Sequence, residues 1–385
     1  MIYLDYNATT PVCDEAREAM LPYSDRFYGN PSSIHAAGRE ARAAVDNARD
    51  TIAGLLGAKP HEIVFTSGGT ESCNLAVLGL ARSRFGTGAH LICNKAEHSA
   101  VMNAVEYLEK HGGFSVTWLD LSSDGTIDLN QLADSIRPET RLVSIMTANN
   151  ETGAIQPIRE ISQICRARGV LLHSDMVQSF GKIELDVNAV DAASFAAHKF
   201  YGPKGTGFLY LRSGLSVQPI LFGGSHENQR RAGTENVPGI VGMAAAAQIV
   251  RRNCEAEQAR QACLRDKLAR SIETSVPTAV LNGNAHRRLA NTLNMSFVGT
   301  DSEMLLIAMD LKGVCASAGS ACMVGSVSAS HVLVAMGLPL ERARSAIRFS
   351  LGKHTTDAEI HQAGEIVAEI AGRLASRKTA DYAVV

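Results

Sequence analysis

Three residues of this sequence could do chemistry beyond ordinary surface acid–base work: a lysine and an aspartate that each follow an apolar run, and a cysteine among small residues. Lys199 follows His198 at the end of the run Ala192 to Ala197 and precedes Tyr201-Gly202-Pro203-Lys204-Gly205. Burial disfavours a charged amine and lowers its pKa, so a lysine at the end of a buried strand is a candidate nucleophile. A lysine already out in solvent there does nothing. Asp175 ends the run Val170 to His173, with Gln178 close behind, and an aspartate at that place serves equally as a turn residue or cap. Cys322 sits in Ala316-Ser317-Ala318-Gly319-Ser320-Ala321-Cys322-Met323-Val324-Gly325-Ser326-Val327-Ser328, a stretch with little side-chain surface to anchor it. A free thiol of pKa about 8.5 is partly thiolate at neutral pH and reacts where a base or positive end lies near; a packed, inert thiol is the alternative. Thr66-Ser67-Gly68-Gly69-Thr70-Glu71-Ser72 adds a glycine turn that opens a helix, where amides and the helix dipole favour an anion such as phosphate. It matches neither the nucleotide P-loop nor Gly-x-Gly-x-x-Gly, and as a plain helix start it would need only its Ser/Thr cap.

These residues need elements to hold them. Apolar residues at Ala37, Ala41, Ala44, Val45, Ala48, Ile52, Leu55 and Leu56, closed by Gly57, predict an amphipathic helix. Glu62 to Phe65, Leu91 to Cys93, Val116 to Leu119, Leu142 to Met146, Val170 to His173, Ala192 to Ala197 and Gly207 to Leu211 read as buried strands, with helical patterns such as Ile158 to Arg168 between them. Such alternation predicts a mostly parallel sheet covered on both faces. Ligands of open α/β sheets collect outside the carboxyl ends of the strands, where the glycine turn, Asp175 and Lys199 all fall. A long helical region from about 237 to 273, then Leu293 to Val298, Ala346 to Ser350 and closing helices, are more mixed. The organisation expected is a large α/β domain over residues 15–255 and a smaller α+β domain from 1–14 plus 256–385, which carries the Cys322 stretch. The first strand, Ile2 to Leu4, would join the smaller one.

Composition bounds the rest. The 385 residues, 45% hydrophobic and 20% charged with 33 glycines, fit a globular chain and exclude collagen, coiled-coil and low-complexity readings. A formal charge of -2 offers no pull toward nucleic acid or anionic membrane. No basic leader and no apolar run of about 18 residues is visible, so a cytoplasmic location is expected. The eight cysteines form no Cys-x-x-Cys pair and no zinc spacing, so no metal site is expected.

A glycine turn, an Asp and a strand-ending Lys in this chain order are what a pyridoxal phosphate site of the aspartate aminotransferase fold needs. Taken with Tyr3-Leu4-Asp5-Tyr6-Asn7-Ala8-Thr9-Thr10-Pro11, Gly29-Asn30-Pro31-Ser32-Ser33, Glu97-His98, Asn149-Asn150-Glu151, Arg231-Ala232-Gly233-Thr234, Gly319-Ser320-Ala321-Cys322 and Arg348-Phe349-Ser350, the chain resembles the cysteine desulfurases of the nitrogen-fixation and iron–sulfur-cluster type. They are class V aminotransferases, and the stretch around Cys322 is similar to the first of their two groups. The resemblance implies a fold type I pyridoxal phosphate enzyme. It gives Lys199 the Schiff base and the Cα proton, Asp175 the pyridine nitrogen, and Gln178 and Asn150 the O3′ side of the ring. His98 would stack on the ring and act as acid or base. Gly69, Thr70 and His198 would hold the phosphate, joined by Thr234 from the other subunit of a homodimer. Arg348, with Asn150, would bind the substrate carboxylate. Cys322 would take sulfur from L-cysteine as a persulfide, leave L-alanine, and pass the sulfur to an iron–sulfur scaffold or tRNA-thiolation protein. No direct nucleic-acid or membrane contact is implied.

The sequence departs from that pattern at Ala196, where a phosphate-binding Ser is common, at Cys73 for a common Asp, and at Ala329 for a common Pro. Selenocysteine lyase needs the same site, a plain aminotransferase would leave Cys322 a bystander, and a catalytically faded sulfur-relay scaffold would not need Lys199, Asp175, His98, Cys322 and Arg348 together.

Overall fold

The computed structural model describes residues 1–84, 86–319 and 329–382. In chain order its strands are β1 (Ile2–Tyr3), β2 (Ile63–Thr66), β3 (His90–Asn94), β4 (Ser115–Leu119), β5 (Thr140–Ser144), β6 (Leu171–Asp175), β7 (Ala192–Ala196), β8 (Gly207–Leu211), β9 (Ala279–Leu281), β10 (Thr292–Phe297), β11 (Val314–Cys315) and β12 (Ala346–Ser350). Its α-helices are α1 (Asp14–Ser24), α2 (Ala36–Leu56), α3 (Gly69–Arg84), α4 (Ser99–His111), α5 (Leu129–Ser135), α6 (Ile158–Ala167), α7 (Val237–Arg252), α8 (Cys254–Ser275), α9 (Ser302–Leu311), α10 (His331–Ala335), α11 (Leu340–Arg344) and α12 (Asp357–Tyr382).

Seven strands form the main sheet in the order β2-β8-β7-β6-β5-β3-β4. Pairing is antiparallel on both sides of β8 and parallel from β7 to β4, the mostly parallel sheet expected. Successive side chains of a strand point to opposite faces, and each face here has its own core. Ile63, Phe65, Phe208 and Tyr210 pack on one side against α2 and α7 residues such as Val45, Ile52 and Met243. Val64, Leu209 and Leu211 pack on the other against Leu75, Leu80 and Val101 of α3 and α4. Burial on both faces is why these strands read as continuous apolar runs.

A second core gathers Leu293, Met295 and Phe297 of β10, Ile347 and Phe349 of β12, and residues of α8, α9 and α12. Ile2 and Leu4 belong to it, because β1 pairs in parallel with β11 through Ile2↔Val314 and Tyr3↔Cys315.

Four expectations are adjusted. The strand over Val116 to Leu119, expected to be buried, is the edge strand β4 and is half-buried at Val116, Thr117 and Trp118. The strand ending at His173 continues to Asp175, whose Cα partner on β7 is Ser194. The strand over Ala192 to Ala197 stops at Ala196, and Ala197–Lys199 form one turn of 3-10 helix. The long helix from 237 is two helices broken at Asn253, whose backbone (φ −101°, ψ 3°) leaves the helical region. A one-residue break leaves the apolar spacing on both sides almost unchanged, so periodicity passes over it.

Candidate active site

Every main-sheet residue singled out for the site lies at or just beyond a carboxyl end: Gly69 and Thr70 after β2, His98 after β3, Asn150 after β5, Asp175 and Gln178 at β6, His198 and Lys199 after β7. Because the parallel strands share a direction, their ends converge on one cavity of about 480 Å³. All eight of these residues line it, and so does Arg348, which arrives from the middle of β12 in the other sheet.

Lys199 is half-buried, and its Nζ donates to the carbonyls of Asn7 (2.8 Å) and Ala8 (2.7 Å). The amine is therefore inside, carried there by the turn that ends β7. Asp175 is 7% exposed; its Oδ1 accepts from Val177 N (2.9 Å) and its Oδ2 from the Cys73 thiol (3.6 Å). Burial raises the Asp175 pKa, while His98 and Lys199 oppose that rise. An acid so placed gains most from a cationic partner inside the cavity. His98 caps α4 with its Nδ1, which accepts from Ala100 N (3.1 Å), so the neutral ring carries its proton on Nε2. Burial lowers its pKa, Asp175 opposes this, and Lys199 and His331 add to it. His198 pairs through Nδ1 with Thr9 Oγ1 (3.2 Å), and burial with Lys199 and Lys204 brings its pKa down to about 4.

Gly69 lines the cavity at the first residue of α3, and a Cβ there would come 2.8 Å from Val177 Cγ2. A side chain would close the space that an anion needs at the helix start. Ser67 N bonds Glu71 Oε2 (2.7 Å), and Arg231 grips the same carboxylate through Nε (2.8 Å), tying the segment before Thr234 to the glycine turn. Thr234 itself is exposed and does not line the cavity of its own chain.

Arg348 is 2% exposed; its Nη2 holds Asp5 Oδ1 (2.6 Å), its Nη1 the Asn150 carbonyl (3.1 Å), and its Nε is buried with no hydrogen-bond partner among the described residues. A guanidinium has five N–H donors in a fixed fork, so two anchors leave donors for a carboxylate.

Several residues of the cavity had no expected role: Asn7, Cys73, His331 and Glu151. Asn7 joins the two sheets. Its Nδ2 donates to Thr292 Oγ1 (2.9 Å) and its backbone N to Ser350 Oγ (2.9 Å). Only its place in the Tyr3 to Pro11 motif marked it in the sequence. Cys322 lies outside the described residues; the described residues on either side of it are Gly319 and Ala329, and both line the cavity.

A family model, "Aminotransferase class-V", matches residues 2–362. The chain belongs to the aminotransferase class-V family. Among curated members it is 45% identical to "Cysteine desulfurase IscS" of Dictyoglomus turgidum over 375 residues, covering 97% of this chain and 95% of the relative. It is 44% identical to "Cysteine desulfurase" of Nostoc sp. over 376 residues, 97% of this chain and 94% of the relative. Among solved structures, a NifS-like protein superposes with a TM-score of 0.91 at 37% identity, over 97% of this chain and 100% of the other. Another from Rickettsia africae gives 0.86 at 32%, over 96% and 99%. The class-V fold here is fold type I, and the cofactor of the family is pyridoxal phosphate. The cavity fits that group: a buried carboxyl for a ring nitrogen, an opened helix start for a phosphate, and the Lys199 amine lining the same space.

Proposed function

We propose that this cavity takes L-cysteine and that its sulfur passes to Cys322. The chain is a pyridoxal phosphate-dependent cysteine desulfurase. The observation that carries the residue assignments is the convergence of Lys199, Asp175, His98 and Arg348 on one cavity whose edge includes Gly319 and Ala329. Asp175 would hold the ring nitrogen, Gly69, Thr70 and His198 the phosphate, and Gln178 and Asn150 the O3′ side. When bound, the cofactor supplies an electron sink for the Cα of an amino acid.

The chain's residues do the rest. Arg348, already fixed by Asp5 and Asn150, would orient the substrate carboxylate, and a fixed fork costs little to order. Lys199 Nζ would take the Cα proton. His98, whose Nδ1 accepts from Ala100 N, would present its Nε2 to the cofactor ring, as a hydrogen-bond donor when neutral and as an acid when protonated. Cys322 as thiolate would attack the substrate sulfur: an S–S bond forms, the Cβ–S bond breaks, Cβ takes up a proton, and Lys199 would return a proton to Cα, giving L-alanine and the Cys322 persulfide. An acceptor thiol then takes the terminal sulfur.

A homodimer would complete the site through Thr234 and cover large exposed apolar side chains, among them Tyr28, Ile34 and Phe222. The acceptor would be a sulfur-relay protein such as an iron–sulfur scaffold or a tRNA-thiolation protein, and the setting the cytoplasm. No helix among the described residues is long and apolar enough to cross a membrane.

The test compares L-alanine released from L-cysteine by the loaded protein and by Cys322→Ala, with a reductant present. Release by the parent and almost none by the variant is expected; equal release would remove Cys322 from the reaction. Sedimentation of the same sample should give twice the 41.0 kDa of one chain, and a monomer would refute the shared site.

A further inference from the structure

Four residues after Gln178, Lys182 donates from Nζ to two acceptors, Gln178 Oε1 (2.8 Å) and Asn7 Oδ1 (2.9 Å). Both acceptors are neutral amide oxygens, an unusual setting for an ammonium. Burial pushes this amine well below the ordinary lysine range, and the charges of Lys199 and Arg348 push it further. Whether protonated or neutral, a lysine amine has at least two N–H groups, so both bonds survive either state.

What they fix is an amide. Gln178 is 5% exposed and gives one Nε2 hydrogen to the Asn7 carbonyl (2.9 Å), the same oxygen that accepts from Lys199 Nζ. With Oε1 held by Lys182, the donor left uncommitted on Gln178 is the second Nε2 hydrogen. A flipped amide would set its oxygen against the Asn7 carbonyl oxygen in either state, and its N–H against the Lys182 donors wherever the amine is protonated. Asn7 is held in turn: its Oδ1 also accepts from Asn291 Nδ2 (2.9 Å), and its Nδ2 donates to Thr292 Oγ1 (2.9 Å).

We propose that Lys182 is a positioning residue for the cofactor: by clamping Gln178 Oε1 and Asn7 Oδ1 together, it commits Gln178 to present an N–H donor to the cofactor's ring oxygen. The proposal rests on the placement of Gln178 at the O3′ side of the ring. Lys182 also borders a second cavity of about 260 Å³, shared with Lys199, Tyr6 and Gln261, which gives a longer basic side chain room to reach the same acceptors.

The test is a double-mutant cycle on the apoprotein titrated with pyridoxal phosphate, reading the dissociation constant and the visible absorption maximum of the bound cofactor. Lys182→Met keeps the aliphatic stem and removes the donors; it should weaken binding about tenfold and shift the maximum. Lys182→Arg should restore both. In a Gln178→Leu background, Lys182→Met should have no further effect, because the residue acts through Gln178. If Lys182→Met does not accumulate as folded protein, Lys182→Gln, which is too short to reach both acceptors, takes its place. Parent-like affinity and spectrum in Lys182→Met, or effects of the two substitutions that multiply, would overturn the proposal. A silent Gln178→Leu would instead refute the placement of Gln178, and the proposal with it.

Discussion

Ala196 ends β7 with its methyl 3.4 Å from where a Cβ on Gly69 would stand, so it lies beside the glycine turn and inside the cavity. A hydroxyl there would face whatever anion the helix start binds. A hydrogen bond to a charged group contributes about 1.5–3 kcal/mol, so Ala196→Ser should tighten pyridoxal phosphate binding by about tenfold or more. Titration of the apoprotein reads this, and an unchanged dissociation constant would mean that the serine finds no phosphate. Cys73 is the second departure, and its structural meaning differs. The thiol is buried, held neutral because burial and the Asp175 carboxylate push its pKa well up, and it donates to Asp175 Oδ2. A carboxylate in its place would set two acids against each other in a buried site, which raises the pKa of one of them. Cys73 therefore leaves Asp175 with a donor where the common residue would offer a second acid.

At the level of elements, the turns that leave the strand ends carry the candidate site, and the described residues flanking 320–328 meet them at Glu151. Glu151 follows the β5 end, is 1% exposed, and accepts from the Ser330 hydroxyl that caps α10. A Cβ on Gly319 would collide with Glu151 Oε2 and stand 2.9 Å from Ser330 Cβ. Both flanks of residues 320–328 thus rest on one buried carboxyl group, and a side chain at the first would require Glu151 and Ser330 to shift. Gly319→Ala should cut L-alanine formation at least tenfold while cofactor affinity changes by less than about threefold, since none of the proposed phosphate or ring contacts moves. Parallel measurement of the two quantities checks it; unimpaired turnover would show that the flank yields without cost.

For the molecule as a whole, buried histidines set an acid limit. Burial brings His173 down to about 3, and His90 to about 4 with help from Arg137. His173 joins three strands, pairing with Ser144 Oγ (2.8 Å) on β5 and Ser194 Oγ (3.0 Å) on β7. A histidine whose folded pKa is depressed binds its proton first in the unfolded chain, so its contribution is complete above about 6.5 and declines as pH falls toward the folded value. Buried Glu97, Glu151 and Asp175, raised by burial, act in the opposite sense. A difference between variants removes them. Between pH 6 and 4 the parent should take up close to one more proton on unfolding than His173→Gln, read as a difference of about 1.4 kcal/mol per pH unit in the slopes of stability. Equal slopes would mean that His173 is protonated in the fold.

The sequence alone determined the sheet and its reactive ends. Strands buried on both faces are mostly apolar, so β2, β3 and β5 to β8 were legible within two residues at each boundary, and the lysine, aspartate and glycine turn announced themselves by standing where the apolar runs stop. Asp175 looked like a turn residue only because a charged side chain ends an apolar pattern even when the strand continues through it. The tertiary structure decided the long-range partners: that Asp5 and Asn150 hold Arg348, that Asn7 accepts Lys199, and that β1 pairs with β11. Such contacts join residues far apart in the chain through hydrogen bonds, which leave no periodicity in a sequence. Which of two polar residues meet across a buried cavity is set by how the sheets pack, and only the packed molecule contains that information.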